Sequence, residues 1–148
     1  HGSGNSAFEV GYIKVGNKSF QEQAAASVLS QRVAERKGST PKEMNGKVIF
    51  SLAKQGDLVC MEEIDRLVDY LAQGIATICY VMNPDLVILG GGIMAQTDYM
   101  GQRLEEALDR HLIPSVRKNT HLAFAQHGNT AGMRGAFYHF MQLHPEMK

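Results

Sequence analysis

Apolar residues recur at intervals of three and four along one long reach of the chain. Ile64, Leu67, Val68, Leu71, Ile75, Ile78 and Cys79 fall on one face of a helix. Asp57 stands where a cap belongs, and Asn83-Pro84 ends the pattern, because proline disfavours the helical state of its predecessor. A helix from Asp57 to Met82 is therefore expected. A second stripe, Ala24, Val28, Leu29 and Val33, predicts a helix from Phe20 to Lys37, capped by Ser19 and ended by Gly38. A third, Leu104, Leu108 and Leu112, marks a charged amphipathic helix from Tyr99 to His111, with Thr97 or Asp98 as its cap. Thr40 and Glu43 have capping-box spacing with Pro41 between them, and Asn45 is the rival start for the helix in KVIFSLAKQGD.

Strand signals are shorter. Val10 to Val15 alternates weakly, and Gly16-Asn17-Lys18 follows as a turn. DLVILGG is a continuous apolar run, the pattern of a strand buried on both faces. HLAFAQ alternates and predicts another strand. GNTAGMRGAFYHFMQL is a closing helix with Asn129 as candidate cap, and its small residues Ala131, Gly132, Gly135 and Ala136 would let it pack close to a neighbour. Strands alternating with helices place the chain in the α/β class. Glu62 and Arg66 stand four apart on the wet side of the long helix and are expected to pair.

The chain has 148 residues, one domain or one lobe of a larger one. Its 44% hydrophobic and 20% charged content is that of a globular protein. A formal net charge of zero weighs against a nucleic-acid partner, which would meet a basic face. No apolar run approaches the length of a membrane span. Cys60 and Cys79 lie nineteen positions apart on one predicted helix, about 28 Å at 1.5 Å per residue. No disulfide spans that distance. With no signal pattern at the N-terminus, two free core cysteines point to a reducing, cytoplasmic setting. His1-Gly2-Ser3-Gly4 lacks an initiator methionine and reads as a loop interior or a cloning remnant, so a piece of a longer protein is expected.

The chemistry is concentrated at a few points. Gly90-Gly91-Gly92 closes the apolar strand. It is neither the dinucleotide fingerprint nor a P-loop. It is a tight turn, or bare backbone that lets a base or ribose approach. Glu9, in AFEVGY, is a solvated strand-edge charge or an acceptor for sugar hydroxyls. Glu22 begins a helix, where acids complement the dipole. His121 and His127 bracket a predicted strand without a partner at ligand spacing, and no metal is expected. No serine or cysteine triad is present.

Three segments together resemble the ROK family (repressors, open reading frames and sugar kinases). LAQGIATICYVMNPDLVILGGGI, Leu71 to Ile93, is similar to that family's long helix leading through Asn-Pro into a strand that ends in three glycines. GNTAGMRGAFYHF, Gly128 to Phe140, resembles its closing helix, and FEVGY, Phe8 to Tyr12, its Gly-Glu-x-Gly-His sugar motif. The resemblance implies the actin/hexokinase-like (ribonuclease H-like) ATPase fold, of which this chain matches only the C-terminal lobe. It places Glu9 on a sugar-binding glutamate and Tyr12 where the family has a histidine. A second sugar-binding glutamate falls on Gln21, with Glu22 one place off. Gly90, Gly91 and Gly92 match the adenosine-side glycines. The family's cysteine-rich zinc signature is absent between Tyr12 and Phe20, and zinc is not expected.

The family's phosphate loop and catalytic aspartate are also absent from these residues. The resemblance thus implies the C-terminal half of an ATP-dependent hexose or amino-sugar kinase, needing ATP, Mg²⁺ and the missing N-terminal lobe, and inactive alone. The alternative is the sugar-sensing effector domain of a ROK repressor. A third reading is a non-catalytic assembly half. A homo-oligomer is expected, as the family forms dimers or tetramers.

Overall fold

The computed structural model describes residues 3–5, 7–92, 96–125 and 130–147. Ile93, His127, Gly128 and Asn129, invoked above, lie outside them. A helical turn at Val10–Tyr12 leads into strand β1 (Lys14–Val15), which pairs antiparallel with β2 (Lys18–Ser19). Helices α1 (Phe20–Ala24), α2 (Ala26–Lys37), α3 (Gly46–Lys54) and α4 (Leu58–Met82) follow. Strand β3 (Leu86–Leu89), helices α5 (Thr97–His111) and α6 (Pro114–Arg117), strand β4 (His121–Phe124) and helix α7 (Ala131–Leu143) complete the order. β3 and β4 run parallel, with Leu86 opposite His121 and Leu89 opposite Phe124.

The 25-residue α4 is the spine. Ile64, Leu67, Val68, Ile75 and Cys79 are buried on it, and Leu29, Val33, Ile49, Phe50, Leu104 and Leu108 close over them from α2, α3 and α5. Its ends follow from the sequence. The Asp57 carboxylate accepts from the Cys60 N–H at 3.0 Å, and Asn83 ends the helix with left-handed φ 45°, a conformation asparagine tolerates better than most residues. At the start of α3 the two rival caps separate. Glu43 accepts from the Thr40 backbone and hydroxyl, but only as a turn. The Asn45 side chain accepts from the Val48 N–H at 3.3 Å and starts the helix.

Other expectations are corrected. Val10 to Val15 is not one strand, since its first half is the helical turn and only Lys14–Val15 pairs. The helix expected from Phe20 to Lys37 breaks at Ala25, whose backbone is extended at φ −79°, ψ 146°. β3 buries one face only. Val87 and Leu89 pack on the core, while Ile88 is 64% exposed. Glu62 pairs with Arg36 at 2.7 Å rather than with Arg66. Arg36 also reaches Glu63 at 3.0 Å, and Arg66 lies 3.5 Å from that same acid. Glu63, 1% exposed, is buried with two cations around it, as a buried charge must be. Among the described residues, the close packing expected of α7 is not met. Phe137 is 65% exposed, and a Cβ added at Gly132 or Gly135 would meet nothing within 4 Å.

Candidate functional site

The first site region is built by the turn that carries Glu9 and Tyr12. Phe8 adopts left-handed φ 66°, strained for an aromatic residue, and turns the chain so that the Val10 N–H donates to its own carbonyl at 2.7 Å. The Tyr12 N–H then donates to the Glu9 carbonyl at 3.2 Å. A clip from the Phe20 N–H to the Ile13 carbonyl, 2.8 Å, closes the turn onto α1. Gly11 faces Gln21 so nearly that an added Cβ would stand 3.1 Å from Gln21 Oε1. The fold therefore brings the turn carrying Glu9 and Tyr12 against Gln21, with Glu9 and Tyr12 exposed.

Glu22 is placed differently. Its carboxylate accepts from both the hydroxyl and the backbone N–H of Ser19, closing a capping box at the start of α1. The Ser19 hydroxyl, then its backbone N–H, hold the carboxyl below its ordinary range, with Lys14 and Lys18 nearby adding to the effect. This acid stabilises the helix start.

The second region is the glycine turn. Gly90, Gly91 and Gly92 leave the C-terminal end of β3 and are all exposed. Gly91 has φ 101°, and an added Cβ there would meet nothing within 4 Å. A Cβ at Gly90 would make only ordinary contact with Ala125, at 3.7 Å. So Gly91 is required by backbone conformation, whereas Gly90 is not required by packing. Gly92 opens into a groove of about 500 Å³ with Asn45, Gly46, Lys47 and Phe50 opposite and Gln96 beside it. Two contacts fix its width. Lys54 Nζ donates to Asp98 at 2.7 Å and to Gln96 at 3.2 Å, tying the end of α3 to the start of α5. The Phe50 and Tyr99 rings meet edge to face, with centroids 5.7 Å apart.

Glu9 and Tyr12 are not among this groove's lining residues. Ala26 is, and Ala26 begins α2 directly after α1, which carries Gln21. The two regions are thus joined through the α1–α2 junction. Asn45, Gly46, Lys47 and Phe50 were missed in the sequence, where Asn45-Gly46 carries only a helix-cap signal. Among the described residues no group of three or more His, Cys, Asp or Glu side chains is arranged to hold a metal. No described helix is long and apolar enough to cross a membrane.

Comparison with known proteins gives these features a context. The family model described as ROK family matches residues 16–142. An uncharacterised protein of Clostridium perfringens is 46% identical over 142 residues, covering 96% of this chain and 48% of that protein. The beta-glucoside kinase of Klebsiella pneumoniae is 28% identical over 126 residues, 85% of this chain and 40% of the kinase. The N-acetyl-D-glucosamine kinase of Salmonella typhi is 38% identical over 90 residues, 61% of this chain and 29% of the kinase. The chain spans less than half the length of each. Among solved structures, a ROK family glucokinase from Streptomyces griseus in complex with glucose and AMPPNP superposes with TM-score 0.77 at 22% identity, covering 88% of this chain and 50% of that one. A ROK family transcriptional regulator, a homolog of the E. coli MLC protein, superposes with TM-score 0.67 at 19% identity, covering 78% and 33%. The fold is the actin/hexokinase-like fold of the ROK sugar kinases.

Proposed function

The chain belongs to the ROK family, and from that membership we propose that it supplies the C-terminal lobe of an ATP-dependent hexose kinase. The observation that carries this reading is the glycine turn. It is bare, exposed and open, at the C-terminal end of a parallel strand, where α/β folds bind ligands. The groove it enters has the volume of a small-molecule site. The peptide planes of Gly90 to Gly92 offer flat contact to a purine, with the buried Phe50 as floor beneath the groove, and Asn45 offers a polar edge. These residues fit the nucleoside part of ATP. When bound, ATP supplies the transferred phosphoryl group, with Mg²⁺ offsetting its charge.

The work of this chain is binding and orientation. Glu9 accepts hydrogen bonds from sugar hydroxyls and fixes the acceptor by charge-assisted contacts. Tyr12 and Gln21 flank it. Gln21 offers an amide that both donates and accepts, and Tyr12 offers a ring face and a hydroxyl. Glu22 holds the start of α1 and thereby the height of Gln21. The general base and the phosphate cradle belong to the N-terminal lobe, which closes over the sugar and excludes water. The exposed apolar faces of β3 and α7 are the surfaces that lobe, or a second copy, would cover. The chain by itself transfers no phosphate.

The test is ATP consumption by the full-length protein against glucose, N-acetylglucosamine and a β-glucoside, with the 148-residue chain run alongside. Activity in the long protein and none in the short one supports the reading. A second reading, a sugar-sensing regulator without ATP chemistry, is favoured by the likeness to the transcriptional regulator. It predicts sugar binding by the full-length protein with no ATP turnover on any hexose.

A further inference from the structure

The turn that presents Glu9 and Tyr12 continues into a hairpin of two residues per strand. A two-stranded hairpin this short has little stability of its own, so its orientation must be imposed from below. Besides Ser19 of the hairpin itself, a second polar side chain is buried there. Gln23 is 4% exposed. Its Nε2 donates to the Val15 carbonyl at 3.4 Å, and its Oε1 accepts from Arg32 at 2.6 Å. Arg32 also donates to the Gln23 backbone carbonyl at 3.4 Å, in the last turn of α1, where the break at Ala25 removes the intrahelical donors. The Arg32 guanidinium lies 5.4 Å from the centre of the Tyr70 ring on α4. A continuous polar path therefore runs from the hairpin through Gln23 and Arg32 to the spine.

The residue types suit the path. The groups on either side of Gln23 are a carbonyl, which needs a donor, and a guanidinium, which needs an acceptor. Of the common side chains of this length only an amide offers both ends. Glutamate would set a carboxylate against the Val15 carbonyl. Lysine in place of Arg32 would lose the fork that serves the side chain and the backbone of Gln23 at once.

We propose that Gln23 and Arg32 are positioning residues for the sugar wall, touching no substrate and setting where Glu9, Tyr12 and Gln21 stand relative to α4. This rests on the kinase reading above. Gln23→Glu keeps the volume and the Arg32 partner but drops the bond to Val15. Arg32→Lys keeps the charge and drops the fork, and serves where the first variant folds poorly. In the full-length protein, either variant should raise the sugar KM about tenfold, the size of one lost hydrogen bond, with the ATP KM changed less than about twofold. Amide hydrogen exchange should quicken across residues 10–21 and not in α4 or α5.

An unchanged sugar KM, or unchanged exchange in residues 10–21, overturns the proposal. So do sugar and ATP KM rising together with faster exchange throughout, which is plain loss of stability. If the wild-type protein phosphorylates no hexose, the kinase reading itself fails, and with it the link from this pair to a sugar. That failure is seen in the wild type, whereas failure of the positioning role is seen only in the variants.

Discussion

The ring of Phe20 occupies the space that a side chain at position 74 would need: a Cβ built on Gly74 stands 2.4 Å from Phe20 Cε2 and 2.6 Å from Cζ. Gly74 is in the middle of α4, where glycine costs about 1 kcal/mol relative to alanine. The contact reverses that preference. Phe20 opens α1, so the bare point at Gly74 on α4 seats the start of the helix that carries Gln21.

Gly74→Ala should lower stability by about 1–3 kcal/mol, the range for overpacking. Gly132→Ala in α7, where an added Cβ meets nothing within 4 Å, should be neutral or stabilising by up to about 1 kcal/mol. Urea unfolding of both variants of this chain compares the two signs directly.

The neighbouring glycines of the turn should separate in the same way. Gly91→Ala forces a side chain into φ 101° and should cost about 1–2 kcal/mol. Gly90→Ala adds only an ordinary contact to Ala125 and should leave stability within about 0.5 kcal/mol. On the kinase reading, Gly92→Ala in the full-length protein should instead raise the ATP KM severalfold, because Gly92 lines the groove proposed for the nucleoside. Thermal unfolding and steady-state kinetics measured together check both halves.

Much of this was legible in the chain. The stripe on α4, the Asp57 cap and the Asn83-Pro84 stop are local signals, and the structure follows them. Leu104, Leu108 and Leu112 are all buried, as their spacing implies. The break at Ala25 was not legible, because alanine has no local reason to leave a helix. The break answers to tertiary contacts, with Phe20 on Gly74 and Gln23 held by Arg32. Glu63 was passed over because a glutamate in a helix reads as a solvated face, and the approach of Arg36 from α2, with Arg66 also 3.5 Å away, makes its burial tolerable. The groove lining from α3 was hidden because Asn45 has one sequence signature for capping and none for what its helix faces. The exposed faces of β3 and α7 contradict an apolar pattern that assumes more neighbours than the described residues provide.

Acid should act on α4 through Asp57. The Lys37 ammonium, 2.6 Å away, then the Cys60 N–H, hold its carboxyl down to about 2. The folded value lies below the ordinary value of about 3.9, so the pair's contribution is complete above about pH 4, declines as pH falls toward 2 and is gone below that. Asp57→Asn retains a capping side chain but cannot ionise. Its urea midpoint should change less than that of the wild type between pH 4 and pH 2.

The two cysteines should be silent in the folded protein. Both are free and buried. Burial, then a bond toward Asp57, pushes the Cys60 thiol up to about 11, and burial raises Cys79 as well. The thiolate is the reactive species. Labelling by a thiol reagent at pH 8 should therefore follow the unfolding rate, and rapid labelling of either cysteine under native conditions would contradict the packing described for α4.

The most direct measurement is the kinetics of Glu9→Gln in the full-length protein with its best hexose. Exchanging the carboxylate for an amide keeps the shape and removes the charge-assisted acceptor, worth roughly 10- to 100-fold in binding. The account predicts a fall of that size in kcat/KM for the sugar, with the ATP KM and the melting temperature unchanged. A variant equal to wild type in both rate and sugar affinity would contradict it.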